Sequence, residues 1–254
     1  MSILEPVSDE PAAVAEVAGE RMLLIADYHA GFEAAARLEE GIELRSRATE
    51  RRERLQRLVR ETESDRIVVL GDLTHSIGRP VGAERGEIEV LVETLDVPML
   101  VAKGNHDGIL EEMLASDPDF YGGVTVLPAT GDRFGPLAVV HGHTWPDPSL
   151  LDASVLCVGH EHPCVRLADE VGGQRVERVW LRGPLESSPF DDRAGESVET
   201  RAELVVFPAF NELCGGTWVN IPEQEFLAPF LPDALPQGDA YLLDGTNLGP
   251  YRSI

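Results

Sequence analysis

The sequence predicts an α/β fold in which two mixed β-sheets pack on each other and helices flank them. Three features carry that expectation. Short apolar runs of strand length alternate with helical stretches through the first half, further strand-like runs follow without helices between them, and each early run leads directly into a short polar motif. The 254 residues suffice for one large domain with a substantial core, and no internal repeat divides them. We read 1–254 as a single domain, with the motif-bearing core over about 21–221 and the segment 222–254 packed on it.

Arg21–Ala26, Arg66–Leu70, Met99–Ala102, Leu137–Val140 and Ser154–Val158 are apolar runs too short for buried helices and read as buried strands. Between the first two, Glu43–Glu63 is rich in Arg, Glu and Leu, with Leu55, Leu58 and Val59 as its apolar positions, and reads as an amphipathic helix. Ala83–Leu95 is a second helix, ended shortly before Pro98. Such alternation implies right-handed parallel crossovers, with ligands gathering beyond the carboxyl ends of the strands. Cys164–Ala168, Arg175–Leu181 and Glu203–Phe207 read as antiparallel strands of a second sheet, the first pair turned at Gly172 and Gly173. Glu186–Thr200 is acidic and rich in small residues, which predicts a mobile loop. Ala240–Leu243 followed by Asp244 and Gly245 predicts a last hairpin in the Pro- and Gly-rich tail.

The chain carries 45 acidic against 21 basic residues, a formal charge of −24, and Lys103 is its only lysine. Acidic excess keeps a protein hydrated while self-repulsion loosens it, and molar salt screens that repulsion over a few ångströms, so the composition points to a halophilic protein. The acidic surface is then a solvent adaptation and carries little information about partners. No apolar run reaches the roughly 18 residues of a membrane span, and the first residues lack the pattern of a secretory signal, so a cytoplasmic protein is expected. Cys157, Cys164 and Cys214 are odd in number and lack C-x-x-C spacing, which fits reduced thiols filling core or near-surface space. No basic patch with interleaved aromatics is visible, so nucleic acid is an open partner, and the oligomeric state is unspecified.

All seven histidines fall in an ordered series: DYH at 27–29, GDLTH at 71–75, GNHD at 104–107, HGH at 141–143 and GHEH at 159–162. Residues i and i+2 of a strand point the same way, so Asp27 with His29, and His160 with His162, can each reach one cation. Asp72 follows an apolar run and a glycine, and its two oxygens can bridge cations about 3.5–4 Å apart. Taken alone it would read as a turn or cap residue. Asn105 offers a neutral amide oxygen, and Asp107 beside His106 fits an oriented general acid.

These blocks together resemble the calcineurin-like metallophosphoesterase superfamily. The HGHTWP, GHEHP, PAFNELCGGTWVN and YLLDGTNLG segments are similar to its small SbcD-related or ligase-associated members, extending the likeness over most of the chain. The resemblance implies a four-layer α-β-β-α sandwich. It implies one metal on Asp27, His29, Asp72 and His162 and a second on Asp72, Asn105, His141 and His160, with His106 as catalytic acid and Asp107 behind it. GDLTH is also similar to a segment of double-strand-break repair nucleases, which gives His75 contact with the scissile phosphate, with a plain surface loop as the alternative. His143 stands near the substrate. Lys103, Arg79 and Arg182 are candidates to steady phosphate charge, against surface solvation, and Trp145 and Trp218 are stacking candidates against a core role.

The implied ligands, four His with two Asp and one Asn, suit two divalent transition-metal ions, manganese first, with iron, cobalt, zinc or nickel as alternatives. The expected activity is hydrolysis of phosphodiesters, nucleic acid or nucleotide among them, by hydroxide generated between two metals. The alternatives are a phosphomonoesterase or nucleotide phosphatase and, from another class, a non-catalytic scaffold, which would have lost ligands that are all present here.

Overall fold

The structure is a computed structural model that describes residues 3–168, 172–195 and 197–254. The first sheet holds β1 (Leu4–Pro6), β2 (Ala12–Val17), β3 (Glu20–Ile25), β4 (Arg66–Val69), β5 (Met99–Ala102) and β6 (Val124–Leu127), in that order across the sheet. The second contains β7 (Asp132–Phe134), β8 (Leu137–Val140), β9 (Val155–Val158), β10 (Cys164–Ala168), β11 (Gln174–Pro184), β12 (Glu203–Val206), β13 (Asp239–Leu242) and β14 (Asn247–Pro250). Its order is β14-β13-β11-β12-β9-β8-β7, with β10 also paired to β11. Strands β3 to β6 are mutually parallel, as are β8, β9 and β12, and the remaining pairs are antiparallel.

Alternation along the strands sorts the core into layers. Met22, Leu24, Val68, Leu137, Val139, Val155, Cys157 and Val205 meet between the sheets. The opposite side chains of the first sheet, Leu23, Ile25, Ile67 and Val69, pack with Leu55, Leu58, Ile88 and Leu91. Those four come from α2 (Ala48–Glu61) and α3 (Gly82–Thr94), which follow α1 (Phe32–Ala35) and precede α4 (Leu110–Ser116) and α5 (Pro118–Tyr121). The far face of the second sheet is covered differently. Short turns and the tail supply Leu150, Phe190, Phe230, Leu231, Leu235 and Tyr251, so the fourth layer is largely irregular chain with one short helix, α6 (Asp191–Ala194).

Register places the motifs. Ile25 pairs with Val69, and Val69 with Val101, so the segments carrying Asp27, Asp72 and Asn105 leave the first sheet side by side. Val140 pairs with Val158, which brings His141 beside Gly159 at the same edge of the second sheet.

Four expectations differ from the structure. β1 and β2 add an antiparallel edge that small residues had concealed, since Ala12, Ala13 and Ala15 are all buried without marking a strong apolar alternation. The helix predicted from Glu43 begins at Ala48, because Glu33 Oε1 accepts from the Arg47 N–H at 2.7 Å and the preceding chain passes Gly41 in the left-handed region. β6, β7, α4 and α5 were not anticipated. The segment expected to be a mobile loop contains α6 and a 3-10 turn, with Phe190 buried and Thr200 Oγ1 donating to the Leu151 carbonyl at 2.6 Å.

Candidate metal centre

The expectation that strand alternation aligns each ligand pair is corrected by the structure. β3 ends at Ile25 and β9 at Val158, so Asp27, His29, His160 and His162 lie in the turns beyond. All four, and Asp72, have positive φ: 56° and 47° for Asp27 and His29, 66° and 44° for His160 and His162, and 51° for Asp72. Left-handed backbone costs non-glycine residues roughly 1–3 kcal/mol each and persists only where the surroundings fix it. Here the Asp27 N–H donates to Gly71 O at 3.2 Å, the His29 N–H to Asp72 O at 2.9 Å, and the His160 N–H reaches the Asp27 carboxylate at 3.1 Å. Two glycines let these turns close. Gly71 has a φ of 79° and a Cβ there would strike the His141 ring, while a Cβ on Gly104 would strike the Asp72 carboxylate.

Two groups of donors form at this edge, and Asp72 belongs to both. Donor atoms of Asp27, His29 and Asp72 lie within 4.8 Å of one another, as do those of Asp72, His141 and His160. Asp72 Oδ2 is 3.7 Å from His29 Nε2 and 3.4 Å from His141 Nε2, and Asp27 Oδ1 is 3.2 Å from His162 Nε2. Asn105 Oδ1 faces His141 Nε2 at 3.1 Å. Two imidazoles are oriented from behind: His141 Nδ1 faces the Leu70 carbonyl and His162 Nδ1 the Gly215 carbonyl, both at 2.8 Å, which leaves their Nε2 atoms for the centre. Buried carboxylates beside inward-facing nitrogens are the donor chemistry of a divalent transition-metal site, so these residues fit such ions.

The electrostatics match. Burial opposes the charge on Asp27, yet His162 and His141 outweigh it and hold the carboxyl below its ordinary range. Asp72 is likewise lowered, by His141 and His29 against burial. Burial works against a proton on His141, but Asp72 and Asp27 prevail and raise it to about 9. His29 and His160 are instead dominated by burial and fall to about 3 and about 4.

Around these donors stand the remaining predicted residues. His75, His106 and His29 nitrogens cluster within 4.8 Å, and His106 Nε2 is 3.9 Å from Asp72 Oδ2. His106 Nδ1 faces the His75 carbonyl. Asp107 is therefore not the group behind that ring: fully buried, it accepts from the N–H groups of Asp72 at 2.8 Å, Gly104 at 2.9 Å and Thr74 at 3.1 Å, tying two motif turns together. His143 lies beside His141, ring centroids 5.3 Å apart, and its buried Nδ1 has no hydrogen-bond partner. The cations are less central. Lys103 Nζ is engaged by Glu111 at 2.5 Å, Arg182 forms a two-bond ion pair with Glu203, and Arg79 is exposed in the turn before α3. Trp145 packs on Phe190 and Phe230, and Trp218 lies under the Arg166 guanidinium.

Asn211, Cys214 and Gly215 border the candidate site, where the sequence reading gave them no part and took Cys214 as a space-filling thiol. Asn211 is buried, its N–H donating to Asp27 O at 3.2 Å and its side-chain amide to His29 O at 3.4 Å. Cys214 Sγ joins His29 and His162 in a further donor group, and burial pushes its thiol up. Glu161, fully buried between two proposed ligands, accepts from the Leu227 N–H at 2.9 Å and the Ala228 N–H at 3.0 Å, and burial raises its carboxyl. The available signal was polar residues interrupting apolar chain after β12, but their partners are remote in sequence.

A family model described as calcineurin-like phosphoesterase matches residues 20–164. Among curated proteins none matches by sequence. The fold is similar to that of the Pseudomonas putida nuclease MPE, with 18% identity, a TM-score of 0.52, and 95% of this chain and 97% of that one covered. A predicted phosphoesterase from Streptococcus pneumoniae TIGR4 aligns over 90% of this chain and 92% of its own, with 14% identity and a TM-score of 0.31. Among the described residues no helix is long and apolar enough to cross a membrane.

Proposed function

The chain belongs to the calcineurin-like phosphoesterase family, and from that premise we propose that it hydrolyses phosphodiesters with two divalent transition-metal ions. Asp27, His29, Asp72 and His162 would hold one ion, and Asp72, Asn105, His141 and His160 the other. The observation that carries the reading is the sharing of Asp72 by two donor groups drawn from both sheets. When bound, such ions polarise phosphoryl oxygen and make water nucleophilic near neutral pH.

The chain's own residues supply the rest. With Nδ1–H directed at the His75 carbonyl, His106 carries its transferable proton on Nε2, the nitrogen facing the centre, and delivers it to the leaving oxygen. After transfer the neutral ring keeps the same anchor. Thr74 Oγ1 donates to the His106 carbonyl at 2.5 Å and fixes that turn. His75 and His143 line the approach and contact nonbridging oxygens. Asp107 is a positioning residue that holds Asp72 in register with the 104–107 turn. With Lys103 engaged by Glu111, Arg79 is the cation of the three left to meet the phosphate from the surface.

A diester benefits more than a monoester from a protonated leaving group, and a monoester site would add cations for the extra charge. Bis-p-nitrophenyl phosphate is therefore expected to be hydrolysed with higher kcat/KM than p-nitrophenyl phosphate, with Mn²⁺ in high salt. The opposite ranking by about tenfold, 1.4 kcal/mol, would replace the reading with a phosphomonoesterase. The Pseudomonas putida protein of this fold is a nuclease, which makes nucleic acid the first natural diester to assay.

A further inference from the structure

The sulfur of Cys214 and one ring nitrogen from each of His29 and His162 lie within 4.8 Å of one another. It therefore stands beside two of the residues assigned to the first metal position. The loop carrying it is fastened on both sides. Before it, Asn211 is bound to the carbonyls of Asp27 and His29, and after it, Gly215 O faces His162 Nδ1 at 2.8 Å. A Cβ at Gly216 would strike the His162 carbonyl, so the loop lies directly on that turn. Three of the four residues assigned to the position thus contact the segment that presents the thiol. Cys157 and Cys164 lie in β9 and β10 and join no such donor group among the described residues.

We propose that Cys214 Sγ is an additional ligand of the ion held by Asp27, His29, Asp72 and His162. The assignment rests on the metal-dependent reading above. On binding, the S–H bond breaks, its proton passes to solvent, and the sulfur electron pair forms the bond to the metal, with no change of oxidation state. A thiolate is a soft donor, so this position selects Zn²⁺, Co²⁺ or Fe²⁺ over Mn²⁺ and Mg²⁺. The Asp72–Asn105–His141–His160 position has only nitrogen and oxygen donors and retains the harder preference. The two positions are therefore chemically unequal, and a mixed-metal pair is the expected loaded state.

The test is spectroscopic. The full chain is loaded with Co²⁺ alone, and bound cobalt is counted by elemental analysis. Wild type is expected to bind two ions and to show a near-ultraviolet thiolate-to-cobalt charge-transfer band; Cys214→Ser and Cys214→Ala are expected to lose the band. Two bound ions with no band in the wild type would overturn the assignment alone, whereas a chain that binds no cobalt would overturn the metal-dependent reading with it. A band that survives in both variants would also overturn it. Should the variants fail to fold, X-ray absorption of zinc-loaded wild type decides: a sulfur scatterer at about 2.3 Å is expected, and nitrogen and oxygen alone near 2.0–2.1 Å would refute it.

Discussion

Asp72 and His141 follow strands of different sheets, yet Asp72 Oδ2 and His141 Nε2 approach to 3.4 Å. The contact places the centre on the seam between the sheets, so its integrity depends on how they pack as well as on the motifs themselves.

Asp72→Ala is expected to abolish activity and to reduce bound metal from two ions to one or none, because it removes a donor from both groups. His106→Ala should keep both ions and the fold while losing about 10²- to 10⁴-fold in kcat, as for a positioned acid. Elemental analysis beside steady-state rates separates the two. Metal loss in His106→Ala would make that imidazole a ligand and move the acid role to His75 or His143.

The metal-free protein should lose stability between about pH 6.5 and pH 9. His141 is raised from 6.5 to about 9 in the folded state, so its stabilisation is complete below 6.5 and disappears as pH rises through 9. The contribution is on the order of 3 kcal/mol. Against burial, His162 is held above its ordinary range by Asp27 and adds a loss of the same sign, whereas His29 and His160, lowered to about 3 and about 4, act only below 6.5. The same deprotonation frees His141 Nε2, so metal affinity should rise over the interval. Melting of chelated protein and calorimetric titration across this range check both signs; an apo protein that gains stability toward pH 9 would refute the argument.

Arg51→Met should destabilise the chain by about 3–5 kcal/mol. This buried guanidinium pairs with Glu87 at 2.7 Å and Glu33 at 3.2 Å and lies 5.3 Å from the ring centroid of Tyr28, the residue between Asp27 and His29. Removal leaves two buried carboxylates without their counter-charge, each keeping one backbone N–H donor, from Arg47 to Glu33 and from Gly31 to Glu87. Adding Glu33→Gln and Glu87→Gln to Arg51→Met should recover part of the loss in thermal melts, and equal melting points for the single and triple variants would contradict the pairing.

The acidic surface predicts a melting temperature that rises with KCl into the molar range, as screening relieves repulsion within a chain of charge −24. A flat or falling dependence would remove the halophilic reading.

The centre was unusually legible because its residue types are scarce and locally grouped: seven histidines in five short segments suffice to mark the strand ends. What was hidden depends on distant pairing. Asp107 looks like a partner for its neighbour His106, but burial directs its oxygens to the Asp72 and Gly104 backbone. Cys214 resembles filler until the loop after β12 returns to His162. Parallel register, which sets the level of the motifs, comes from strand pairing that no local pattern encodes.

Glu161 has a consequence for where this enzyme can be cut. Every proposed ligand but Cys214 lies before residue 163, and the family match ends at 164, so a truncation after the histidine motifs would retain nearly the whole inventory of donors. Yet the carboxylate between His160 and His162 is satisfied by the N–H groups of Leu227 and Ala228. Deleting 222–254 would remove both of those N–H donors and loosen the turn that carries the two proposed imidazole ligands. The smallest working unit is thus set by a hydrogen-bonding obligation some sixty residues beyond the last motif, and its loss should appear first as weakened metal retention.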